Sequence, residues 1–255
     1  QHSDSLDLQV HSHGLPATID GGQRGGYSRP GDSISRVHNV VEVDGKHNFT
    51  YTWAQGIADA PGARWLSTDS VGSGEARIFR RQTALIDARE GRGGQSLPPA
   101  MQVPPQALPA GVTPLDVYVF DVFRVGGGRA HTYCFHGPVD DEFQWNVPGA
   151  AAPAEGSAEA QYLAGFGLPE RKLSGAAPET LTATWRQHRD KRPGREAAML
   201  GPTFNAALPP FYTRLHLLGV KGASAMKANL DCIQWKYDFS CLMVRKTTEA
   251  DELAS

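Results

Sequence analysis

Three residues raise the first chemical question. His2, Asp20 and His38 stand 18 and then again 18 positions apart. Two imidazoles and one carboxylate can hold zinc, with water or a fourth protein group completing the tetrahedron. Each lies at the edge of an expected strand: His2 before residues 6–10, Asp20 after 17–19, His38 before 40–43. Neighbouring strands of one sheet would bring the three side chains together. Residues of these types also fall near strand ends by chance, so the spacing alone leaves the metal site open.

A second group lies in His131-Thr132-Tyr133-Cys134-Phe135-His136-Gly137. On a strand, His131 and Tyr133 project to one face and His136 to the other. They read either as site residues or as hydrogen-bonded polar groups beside a packed aromatic. Tyr27, in Gly25-Gly26-Tyr27-Ser28-Arg29, falls between Asp20 and His38. Near a carboxylate substrate a tyrosine can donate a proton; elsewhere it is a surface anchor. The basic run 186–195 is either a solvated loop or a contact to an anionic polymer. The glycine triplet 126–128 is no phosphate loop, because no Lys-Ser/Thr follows and a strand comes next.

The elements that must position these groups are strands. Period-two alternation runs through 6–10, and Asp44-Gly45 after 40–43 signals a hairpin whose return strand is 48–53. Residues 76–87, 131–135, 213–218 and 235–244 are further strands. Residues 117–125 have two apolar faces, with Val119, Phe123 and Val125 on one and Tyr118, Phe120 and Val122 on the other. Such a strand belongs in the middle of a layered sheet structure. Two stretches interrupt the pattern as long loops. One is 96–110, which carries five prolines; the other is 147–178, with a short helical piece at 158–163. The class is all-β, an antiparallel β-sandwich with large connections.

Composition narrows the function classes. The chain has 255 residues, 28 glycines and 18 prolines, too frequent a punctuation for a helix bundle. Lys+Arg at 25 against Asp+Glu at 27 gives a net charge of −2, so no overall basic field draws the protein to nucleic acid. No apolar run reaches the roughly 18 residues of a membrane span. Three cysteines are too few for a disulfide scaffold; Cys232 and Cys241 either pair across a hairpin or, as the favoured reading, are buried thiols. The sequence opens on Gln1 without a signal segment and stops in a polar stretch, as expected for a piece of a longer chain.

Several blocks together resemble the heparinase II/III-like polysaccharide lyases. They are His2-Ser3-Asp4-Ser5-Leu6-Asp7-Leu8; Gly14-Leu15-Pro16 ending in Ile19-Asp20-Gly21; and His38-Asn39-Val40-Val41-Glu42-Val43-Asp44-Gly45. Phe79-Arg80-Arg81-Gln82-Thr83-Ala84-Leu85-Ile86-Asp87 follows. Then comes Val119-Phe120-Asp121-Val122-Phe123-Arg124-Val125 with its three glycines, leading to His131-Thr132-Tyr133 and Phe135-His136-Gly137-Pro138. The blocks run in family order to about residue 138, and beyond that only a general strand pattern remains.

That resemblance implies a single sandwich domain over 1–255, truncated at the N-terminus and also at the C-terminus. The family's N-terminal α-helical toroid is absent from this chain. The family motif carries a further histidine two positions before the place of His2, ahead of Gln1. By the same resemblance His2, Asp20 and His38 are the zinc ligands, and the ion braces the site. Tyr27 is the catalytic candidate, and Arg29, His131, Tyr133 and His136 are the substrate contacts. Arg36 and Asn39 flank His38 as supporting groups.

The implied reaction is β-elimination at a uronic acid of an acidic polysaccharide, of glycosaminoglycan or alginate type. A base removes the C5 proton, fixed donors stabilise the enolate-like charge, and an acid protonates the leaving oxygen. The piece alone would be inactive, and a secreted or periplasmic location follows from the family. The rival reading is a non-catalytic carbohydrate-binding or structural sandwich on the same scaffold. A cupin-like oxidoreductase would place its ligands within one strand pair, against the spacing seen.

Overall fold

In the computed structural model the described residues are 5–12, 15–18, 35–47, 50–71, 74–87, 117–139, 142–164, 166, 171–187, 211–232, 237–247 and 253–254. Almost all of the regular structure is antiparallel β. The strands are β1 His11–Ser12, β2 Leu15–Pro16, β3 Val41–Val43, β4 Thr52–Ala60, β5 Ala63–Ser70, β6 Ile78–Asp87, β7 Val117–Gly126, β8 Ala130–Val139 and β9 Glu142–Trp145. After the single described α-helix, α1 Ala158–Tyr162, come β10 Leu173–Ala176, β11 Thr180–Gln187, β12 Phe211–Leu218, β13 Ser224–Cys232, β14 Tyr237–Thr247 and β15 Leu253–Ala254. A 3-10 turn at Ser35–Val37 precedes β3. The β-sandwich class expected from the alternation is the one observed, and no helical toroid is present among the described residues. None of the described helices is long and apolar enough to cross a membrane.

Two five-stranded sheets carry the architecture. One has the order β10-β13-β14-β8-β3, the other β15-β7-β6-β5-β4, and a three-stranded sheet β12-β11-β9 completes the layers. The first is covered on both faces. On one face Cys134, Met226, Ala228, Cys241 and Met243 pack on Val37, Tyr162, Leu163 and Phe166. On the other, Phe135, Ala225, Leu242 and Val244 meet Leu181, Ala183 and Trp185 of the three-stranded sheet. Trp185 anchors that layer, 5.2 Å from the Phe135 ring and 5.1 Å from Phe143, with its indole N–H donating to the Ser240 carbonyl at 3.1 Å. Burying side chains of this size contributes about 1.5–3 kcal/mol each. A smaller core of Val41, Val43, Ala76, Phe79 and Val125 joins β3 to the second five-stranded sheet.

Several expectations are corrected. Residues 6–10 alternate but form no strand. Leu6 is left-handed at φ 66°, and pairing begins only at His11, in the two-residue hairpin β1–β2. Leu15–Pro16 is the second strand of that hairpin, and Ala17 and Thr18, expected to begin a strand, bend away after it. The Asp44-Gly45 turn is real, with φ of 52° and 68°, as a tight hairpin turn requires. Its expected return strand is not: β3 pairs with β8, and the chain runs on into β4 of the other sheet. Turn chemistry fixes a local reversal, but which strand the chain joins next depends on distant apolar faces.

The strand at 117–125 is not central. β7 has only the two-residue β15 beyond it, and Tyr118 and Phe120 are 52% and 50% exposed. Its glycine turn does not fold it back onto itself, because β8 belongs to the other large sheet. Gly127, at φ 93°, makes that crossing with no room for a Cβ against the Glu75 carbonyl. The stretch 147–178 holds α1 and β10 and buries Val147, Tyr162, Leu163 and Phe166, so much of it is core rather than loop. Cys241 is a buried thiol outside any disulfide, standing opposite Ala228, while Cys232 stands opposite Tyr237. The loop at 96–110 lies outside the described residues.

Candidate functional site

His38 is the one proposed zinc ligand among the described residues. It follows the 3-10 turn, with its N–H donating to the Ser35 carbonyl at 3.0 Å and its own carbonyl accepting from Val40 N at 3.0 Å. Its side chain and that of Asn39 are completely buried. His2, Asp20, Tyr27 and Arg29 lie outside the described residues. No group of three His, Cys, Asp or Glu suited to a metal occurs among the described residues.

The position of His38 is held from both sides in sequence. Before it, Arg36 donates to Glu42 Oε2 at 3.1 Å and to the Tyr162 carbonyl at 3.0 Å, with its guanidinium 4.4 Å above the Tyr162 ring. Burial disfavours that cation, but the neighbouring Glu42 carboxylate outweighs burial and raises the Arg36 pKa. Burial first, then nearby Cys134 and Glu42, push the Tyr162 phenol well up. Burial and Glu42 likewise raise the Cys134 thiol. The thiol is therefore protonated and unreactive at neutral pH.

After His38, Asn39 is used at three atoms. Its N–H donates to Asp7 Oδ1 at 2.6 Å, its Oδ1 accepts the His136 backbone N–H at 2.7 Å, and its carbonyl accepts from Arg81 Nη1 at 2.6 Å. Arg81 Nη1 also donates to the Leu6 carbonyl at 2.6 Å. The rest of the guanidinium forks onto Asp121, Nε to Oδ1 and Nη2 to Oδ2, each at 2.8 Å, and Thr83 donates to the same Oδ1 at 3.2 Å. Arg81 and Asp121 come from neighbouring strands β6 and β7. Burial works against the Arg81 charge, but Asp121 overcomes it and raises the pKa. Tyr133 stands beside this pair. Its phenol is pushed up by burial and then by Asp121, with Arg81 pulling the other way.

A third segment joins these. Thr18 Oγ1 donates to the Leu8 carbonyl at 3.1 Å and accepts from Val10 N at 2.9 Å, while Ala17 N donates to the Val10 carbonyl at 2.7 Å. Residues 5–8, 17–18 and 38–39 are thus stitched into one unit. They lie three residues after His2, two before Asp20, and at His38.

The remaining candidates separate. His136 joins the Asn39 cluster through its backbone, and Tyr133 joins Arg81–Asp121. His131 stands apart, its Nε2 2.7 Å from the Gly127 carbonyl; since a carbonyl only accepts, that nitrogen carries the proton. His131 and His136 are buried and Tyr133 is half-buried. Spacing could not reveal the Arg81–Asp121 pair, which is forty positions apart. The visible signal was the pair Arg80-Arg81 within β6 and the charged Asp121 and Arg124 within the mostly apolar β7.

No family model matches the sequence, and no curated protein matches it. Among solved structures, a heparan sulfate lyase HepC mutant from Pedobacter heparinus superposes with a TM-score of 0.42 at 8% identity. The match covers 99% of this chain and 29% of that one, so the chain spans less than a third of that protein's length. Likeness at this distance assigns no chemistry, which is read from the residues above.

Proposed function

We propose that the chain is the metal-bearing β-sandwich of a polysaccharide lyase that cleaves a uronic-acid-containing acidic polysaccharide by β-elimination. The observation that carries the reading is the stitching of residues 5–8, 17–18 and 38–39 by the Asp7–Asn39 and Thr18–Leu8 bonds. It draws together the segments next to His2, Asp20 and His38, the ligand set that the motif resemblance names. His38 fits the role: a wholly buried imidazole whose backbone is fixed on both sides.

In this reading His2, Asp20 and His38 hold Zn2+, which would supply a rigid cross-link among three segments already joined by hydrogen bonds. Tyr27 handles the proton at the leaving oxygen, and Arg29 meets the substrate carboxylate, where cationic charge favours the enolate-like transition state. Arg36 and Asn39 keep His38 in place. The same proposal places 1–255 as one sandwich domain of a longer secreted or periplasmic protein, with a helical toroid ahead of it supplying the remaining catalytic groups.

The test is turnover by the full-length protein on a panel of uronate polysaccharides, glycosaminoglycans and alginate among them, followed by ultraviolet absorbance of the unsaturated uronyl product. Product from at least one polymer supports the lyase. Binding to acidic glycans without any such product replaces it with the non-catalytic carbohydrate-binding reading.

A further inference from the structure

We propose that Arg81 is a positioning residue for the zinc site, holding the N-terminal segment and the His38–Asn39 segment to the sandwich with one guanidinium. The inference rests on the zinc reading above. Arg81 is 3% exposed and projects from β6, away from both segments in sequence. Asp121 takes Nε and one Nη2 proton, which fixes the plane of the fork. Both protons of Nη1 are then left for two carbonyls, Leu6 and Asn39, at 2.6 Å each. Neither carbonyl belongs to a strand, so neither has a ladder partner. A buried carbonyl left without a donor is destabilising.

Two features mark this as more than a core ion pair. Leu6 is held at φ 66°, a left-handed conformation unfavourable for a leucine, and its carbonyl is one that Arg81 grips. Asn39 has its backbone N–H and its Oδ1 committed to Asp7 and His136, and its carbonyl is the point where β6 meets the residue after His38. A lysine cannot make this arrangement, because a single ammonium cannot face Asp121 as a fork and two carbonyls at once.

The experiment measures zinc affinity of the chain by chelator competition, alongside the unfolding temperature of the metal-free form. Four variants are compared with wild type: Arg81→Lys, the double variant Arg81→Met/Asp121→Leu, Leu181→Ala and His38→Ala. The double variant removes both charges together, so no unpaired buried ion remains. It strands the Leu6 and Asn39 carbonyls, so it is expected to fold with a lowered unfolding temperature. Its zinc affinity is expected to fall about 10–100-fold, the usual effect of losing a group that orients a ligand. Arg81→Lys is expected to lie between it and wild type. Leu181→Ala weakens the core elsewhere and is expected to lower the unfolding temperature with zinc affinity unchanged.

Folded Arg81 variants that bind zinc as tightly as wild type overturn the inference and leave the zinc reading standing. A loss of affinity in Leu181→Ala equal to that in the Arg81 variants overturns it too, since general destabilisation then suffices. Wild type that binds no zinc, or binds it no better than His38→Ala, overturns both.

Discussion

The backbone N–H of His136 donates to Asn39 Oδ1 across 2.7 Å, tying strand β8 to the residue that follows His38. Both residues are buried, so the bond has no water to replace it. Asn39→Ala leaves the His136 N–H unsatisfied and is expected to cost about 1–3 kcal/mol. Urea unfolding followed by circular dichroism measures it. A loss below a few tenths would show that the N–H finds another partner.

The Arg36–Glu42 pair makes another prediction. Glu42 is fully buried and Arg36 is 17% exposed, and Arg36 also donates to the Tyr162 carbonyl. Glu42→Ala leaves a partly buried cation with only the Tyr162 carbonyl and water to meet it, and is expected to destabilise by about 1–3 kcal/mol. Glu42→Gln, which keeps an acceptor for Arg36, should cost less. Equal losses in the two variants would mean that packing, not charge, sets the effect.

Gly137 is filled by the Trp185 indole, so even a methyl group there collides with the ring. Gly137→Ala is expected to lose about 1–3 kcal/mol through overpacking and to change the near-ultraviolet circular dichroism of the tryptophan. An unchanged spectrum with unchanged stability would contradict the packing described for the β11–β14 layer.

Asp44 supplies the pH dependence. Burial pulls its pKa up, but backbone N–H bonds from Arg129 and Ala130, at 2.9 and 2.8 Å, outweigh burial and lower it. A carboxylate whose folded pKa lies below its unfolded value stabilises the fold above the unfolded pKa. That contribution is lost as pH falls through the folded one. Asp44→Asn, which tolerates the positive φ, is expected to be less stable than wild type at neutral pH, with the gap closing below about pH 4. A gap that stays constant in acid would contradict the assignment.

Much of this architecture was readable in advance. The alternation through β6, β7 and β12 and the Asp44-Gly45 turn are local signals, and each produced the element expected. β4 and β5, joined by Pro61-Gly62, passed unnoticed because β4 carries few large apolar residues and lies exposed along nearly its whole length. The pairing of β3 with β8 and the sheet switch at Gly127 depend on contacts some ninety residues apart, which no local pattern encodes. The site divides in the same way. His38 and Asn39 stood out by type and place, whereas the role of Arg81 appeared only when three distant segments met around it.

The central claim is that His38 belongs to a zinc site, and metal analysis of the purified chain tests it most directly. One zinc per chain in wild type, with none in His38→Ala, is the predicted result. A folded wild-type protein without zinc, or a His38→Ala variant that keeps its full complement, would contradict it.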